Sequence, residues 1–101
     1  MRHVLKIKQT KQFKKDLKTA FRQGCDLARL EEVIDILAAE QPLDKKYRDH
    51  ALSGKLRRFR ECHIAPDWLL IYEVQRDILV LALTRLGSHA KLFVFKESLI
   101  K

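Results

Sequence analysis

Histidine is the side chain that takes up and gives back protons near neutral pH, and this chain has four: His3, His50, His63 and His89. His50, His63 and His89 fall in loops or at the ends of expected strands, and Asp67 and Arg85 lie close to two of them. Cleavage of a phosphodiester by its own 2′-hydroxyl calls for this set of groups. A base takes the 2′ proton as the oxygen attacks phosphorus, an acid protonates the departing 5′ oxygen, and a cation offsets the charge growing on the phosphate oxygens. His50 or His63, with Asp67, Arg85 and His89, could fill these places. Any one of these histidines taken alone reads more readily as an exposed or hydrogen-bonded structural residue, and His3, in the first expected strand, is read that way. Three histidines and an aspartate are also a conceivable transition-metal set. Their irregular separations, with neither His-x-x-x-His nor HExxH, argue against it, so no metal is expected.

Around these residues the chain is basic. Lys plus Arg total 21 against 13 Asp plus Glu, a formal charge of +8, and the pI is near 9.8. Such a balance favours phosphate-bearing or acidic partners, and by itself it also describes a merely soluble surface. The segment Pro42 to Gly54, PLDKKYRDHALSG, has no clear period and is long for a connection. It is a candidate substrate arm presenting Lys45, Lys46 and Arg48. Arg57, Arg58 and Arg60 could hold phosphates or form a solvated strand edge. Trp68 could stack a base, although a tryptophan opening an apolar strand commonly packs in the core. Phe59 reads as core.

The elements that must position these groups are legible from periodicity. Arg60 to Val74, RECHIAPDWLLIYEV, reads as a hairpin whose turn at Ile64-Ala65-Pro66-Asp67 brings His63, Asp67 and Trp68 to one rim. Ahead of it, His3 to Lys8 alternates as a short edge strand. Lys11 to Gln23 has helical spacing with Thr10 as N-cap and Gly24 as stop. A second helix starts at the Asp26 cap and ends at Gln41-Pro42. Leu56 to Ile64, Trp68 to Val74 and Ile78 to Leu86 read as an antiparallel meander, with the first strand added at an edge and the two helices packed over one face. Gly87 is expected to supply the backbone freedom for a sharp exit, and Ala90 to Lys101 reads as either a strand or a helix.

A chain of 101 residues fits one domain, residues 1–101. Cys25 and Cys62 lack CxxC spacing, which fits a reducing compartment. The N-terminus lacks a signal-peptide core and no apolar run is long enough to span a bilayer, so the expected location is the cytoplasm.

The segments YRDHALSG, RECHIAPDWLLIY and TRLGSHAKLF, in that order and spacing behind a strand and two helices, resemble the YafQ branch of the RelE superfamily of bacterial toxins. The resemblance covers about the last half of the chain, and the helical half agrees in pattern only. It implies an α+β, RelE-like fold: an antiparallel sheet of four or so strands in the order β-α-α-β-β-β, with two N-terminal helices on one face. It implies a ribosome-dependent endoribonuclease that cuts messenger RNA in the decoding site without metal or cofactor, and a cognate antitoxin that holds it inactive. Carried over by motif position, His50, His63, Asp67 and His89 are catalytic, Arg85 stabilises the phosphate and Phe93 positions a nucleotide. His89 is the expected acid, and His50 or His63, oriented by Asp67, the expected route for the 2′ proton. A non-enzymatic gyrase inhibitor on the same scaffold, like the ParE relatives, and a basic RNA-binding domain are the competing readings.

Overall fold

The computed structural model describes residues 3–100; Met1, Arg2 and Lys101 lie outside the described residues. Strand β1 (Lys6–Gln9) leads into helices α1 (Lys11–Arg22) and α2 (Leu27–Ala38). Strands β2 (His50–Ala51), β3 (Arg60–Ala65), β4 (Trp68–Gln75) and β5 (Val80–Gly87) follow, and helix α3 (His89–Ile100) ends the described chain. They form one five-stranded sheet in the order β1-β5-β4-β3-β2, antiparallel except where β1 lies parallel to β5.

The helix boundaries follow from the expected caps. The Thr10 hydroxyl accepts from the Phe13 N–H and the Asp26 carboxylate from the Arg29 N–H, each satisfying a donor that the first helical turn leaves open. Gly24, at φ +72°, makes the left-handed exit from α1 that a side chain resists. The segment from Pro42 to Gly54 is more ordered than expected. A 3-10 turn at Lys45–Tyr47 buries Tyr47 in the core, and the two residues of β2 then add a fifth strand beside β3. Leu56 to Phe59 is not strand: Leu56 closes a second 3-10 turn, so β3 starts only at Arg60.

Alternation along the meander sends side chains to two different cores. Cys62, Ile64, Leu70, Tyr72, Leu81 and Leu83 pack against Phe13, Leu30 and Val33 of α1 and α2. On the opposite face Leu69 and Ile71 join Phe59, Leu56 and Leu92 in a smaller core, with α3 laid over them. The C-terminal segment is thus a helix. Because Glu61 and His63 pair in register with Ile71 and Leu69, they stand on the α3 side of the sheet.

The arm before β2 is fastened from the other side. Asp49 accepts from the Tyr72 hydroxyl at 2.5 Å and from Arg60 Nε and Nη2 at 3.3 and 3.1 Å. Burial and the bond to Asp49 push the Tyr72 phenol up, so it stays protonated and donates to Asp49. A hydrogen bond to a charged group contributes roughly 1.5–3 kcal/mol, and Tyr72→Phe is expected to lose about that much stability in urea unfolding.

Candidate active site

The turn between β3 and β4 and the junction between β5 and α3 meet because Leu69 pairs with Gly87, which carries Asp67 alongside His89. Asp67 Oδ1 accepts from the His89 backbone N–H at 2.8 Å and lies 2.6 Å from His89 Nδ1. This corrects the expectation that Asp67 orients His50 or His63: the sheet register assigns it to His89. The backbone N–H and then the ring of His89 hold the Asp67 carboxyl below its usual range, so it is a carboxylate at neutral pH. A carboxylate on Nδ1 makes that nitrogen the donor and leaves Nε2 as the working atom.

His63 lies edge-on to His89, ring centres 5.3 Å apart at 73°. Its proton affinity is lowered, first by burial, then by the nearby cation of Arg48 and by His89, against the opposing pull of Glu61. His50 is set differently. Its Nδ1 is 2.8 Å from the Arg48 carbonyl oxygen, which can only accept, so Nδ1 donates and Nε2 keeps a lone pair in the neutral ring. That Nε2 is 3.7 Å from Oε1 of Glu61, its cross-strand partner on the same face.

Arg85 departs from its expected place as an open phosphate ligand. Beyond the end of β1 the β5 edge is unpaired, and the buried Asp16 of α1 fills the gap. It accepts from the Leu86 N–H at 2.9 Å and from Arg85 Nε and Nη2 at 2.8 and 3.3 Å. The Arg85 side chain is 13% exposed, its guanidinium lying over the Phe95 ring. Lys91 Nζ is a second cation on Asp16, at 3.1 Å. Gly87 serves this cluster by clearance and not by an unusual φ, since a Cβ there would come within 2.8 Å of the Lys91 side chain.

Trp68 is corrected outright: at 7% exposure it belongs to the helix-side core and offers no stacking face. Arg60 points to that side too, bound to Asp49. Arg58 is exposed and lies over Phe59. Lys45 and Arg48 are exposed, Lys46 stacks on Tyr47, and a depression beside His63 is lined by Arg29, Lys46, Arg48 and Pro66. Phe93 is 60% exposed on α3. Cys62 is buried on the helix side with its thiol pushed up to about 12, chiefly by burial, which rules out a thiolate nucleophile.

Four further residues belong to the arrangement and were not singled out from the sequence: Asp16, Asp49, Glu61 and Lys96. Asp16 had a signal, since it interrupts the apolar face of α1 between Phe13 and Ala20. Glu61 had another, an acid whose neighbours in β3 alternate into two cores.

The architecture is that of small bacterial toxins of known structure. Over 88% of this chain and 99% of its own, a metal-bound toxin from Helicobacter pylori superposes with a TM-score of 0.84 at 50% identity. The toxin in the Escherichia coli DinJ–YafQ toxin–antitoxin complex does so with a TM-score of 0.81 at 34% identity, over 89% of this chain and 98% of its own. The mRNA interferase toxin YafQ of Escherichia coli K12 is 35% identical over 88 residues, 86% of this chain and 94% of that protein. Residues 5–94 match the model of the YafQ family, described as the bacterial toxin of the type II toxin–antitoxin system, and the chain belongs to that family.

The metal of the Helicobacter pylori relative prompts a test of the donors here. Among the described residues no three His, Cys, Asp or Glu side chains are grouped to hold a metal ion, and His89 Nδ1 is already taken by Asp67. The residues present do not make a resident metal centre.

Proposed function

We propose that this toxin is an endoribonuclease that cuts messenger RNA in the ribosomal A site by metal-free acid–base chemistry, and so stops translation in the cytoplasm. The observation that carries the reading is the Asp67–His89 pair, an imidazole primed on Nδ1 by a carboxylate, set on an exposed basic face beside His63. The relatives named mRNA interferase support the substrate class, and the DinJ complex supports a cognate antitoxin as partner. No helix among the described residues is long and apolar enough to cross a membrane.

His89, as the imidazolium, gives its Nε2 proton to the leaving 5′ oxygen. An in-line displacement puts acid and base on opposite sides of phosphorus, and rings 5.3 Å apart leave no room for a phosphate between them. The base is therefore His50, whose Nε2 lone pair the Arg48 carbonyl preserves. His63, disposed to stay neutral, lies under the phosphate as a hydrogen-bonding partner. Arg48 is an exposed cation lining the same depression as His63, with Lys45, Lys46 and Arg58 steering the strand. Arg85 reaches the phosphate when it exchanges Asp16 for it; Asp16 then keeps the Leu86 N–H and Lys91. Phe93 stacks on the neighbouring base.

The test is a defined message on programmed ribosomes. Discrete codon-phased cuts ending in 2′,3′-cyclic phosphate are expected, and they should persist in 1,10-phenanthroline, which leaves the ribosome's magnesium in place. Intact message with folded toxin and translating ribosomes would overturn the proposal.

A further inference from the structure

The family match stops at residue 94, but α3 continues to Ile100, and just past that point Phe95 and Lys96 contact the sheet. We propose that Lys96, on this continuation, is a positioning residue that neutralises the buried Glu61 and thereby keeps His50 available as a base. The inference rests on the reading of His50 given above. Lys96 Nζ is 2.7 Å from Glu61 Oε2, an oxygen that otherwise has no hydrogen-bond partner among the described residues. Phe95 seats the same turn, its ring edge-on to Phe59 at 6.3 Å.

The physical argument concerns one carboxylate between two candidate cations. Glu61 is 5% exposed, and a buried carboxylate is costly unless a cation meets it. Lys96 meets Oε2 from α3, while His50 Nε2 stands 3.7 Å from Oε1 on β2. With the lysine in place the charge is matched and the imidazole need not be protonated. Without it, His50 is the remaining cation and is drawn into pairing as imidazolium, which removes the lone pair the reaction needs. Arg48, in the turn before His50, and His63, on β3, also lie nearby, and neither takes the place of Lys96 on Glu61 Oε2. Asp49, the preceding residue, is held by Tyr72 and Arg60 on the other side of the sheet.

Two measurements on the whole chain test this. In single-turnover ribosomal cleavage, Lys96→Met should move the acidic limb of the pH–rate profile upward by about one unit, a roughly tenfold loss at pH 6.5 that fades by pH 8.5. Lys96→Arg should behave as the parent, and adding Glu61→Gln to Lys96→Met should return the limb to its original place. Independently of cleavage, NMR titration of the His50 ring should give a higher midpoint in Lys96→Met and a lower one in Glu61→Gln than in the parent. A rate loss uniform across pH, or a His50 midpoint unchanged in either variant, would overturn the inference and leave Lys96 a structural tether. Absence of cleavage by the parent would sink the nuclease reading, while the titration would still decide the role of Lys96. Should Lys96→Met not fold, Glu61→Gln alone decides it.

Discussion

His89→Ala is expected to slow single-turnover cleavage of ribosome-bound message by roughly 10²–10⁴-fold, the usual contribution of one positioned proton donor. Folding should be nearly unaffected, because the ring is exposed and its backbone N–H still donates to Asp67. Asp67→Asn separates the two functions of that carboxylate. The amide oxygen can still accept from the backbone, but the carboxylate charge that fixes His89 Nδ1 as donor is gone, so the rate should fall while α3 stays in place. The Asp67 carboxyl is depressed below its ordinary value, so its contribution is present above that ordinary value and is lost as pH falls through the lowered one. It is therefore expected to be constant across neutral pH. Quench-flow cleavage from pH 6 to 8 checks this, and a rate in His89→Ala equal to the parent's removes His89 from the chemistry.

The largest effect on stability is expected at Asp16. Asp16→Ala should destabilise the fold by about 3–5 kcal/mol, because it removes one partner of a buried ion pair and strands the others. Asp16 is 2% exposed and accepts from Arg85, the Leu86 N–H and Gln12, with Lys91 beside it. Burial alone would raise its carboxyl, but Arg85, the Leu86 N–H, Gln12 and Lys91 outweigh burial and hold it below 3.8. Its stabilisation is accordingly full above the unfolded value and disappears as pH falls through the folded one. Asp16→Asn should flatten acid unfolding over that window. Urea unfolding at pH 7 and at pH 3 measures both effects, and a variant within 1 kcal/mol of the parent at pH 7 would show that the β5 edge does not depend on this carboxylate.

Asp16 also illustrates where the sequence is hard to read. An aspartate three residues after Phe13 and four before Ala20 interrupts an apolar stripe, but nothing local names its partners, which lie 69 and 70 residues away. The same holds for Glu61. Its pairing with Lys96 depends on α3 crossing the sheet, and the terminal segment read equally as strand or helix.

Local information was sufficient for the two N-terminal helices, their Thr10 and Asp26 caps, the meander and the edge position of β1, because capping, 3.6-residue spacing and continuous apolar runs act over a few residues. It also nominated His50, His63, Asp67, Arg85 and His89 as the candidates for chemistry, since residue type and motif survive without geometry. The tertiary structure alone decided that Asp67 serves His89, that Arg85 is held by a buried acid, that Trp68 is core, and that Lys96 meets Glu61. Each of those depends on sheet register and on which face a side chain takes, and a shift of one residue in register would exchange the faces.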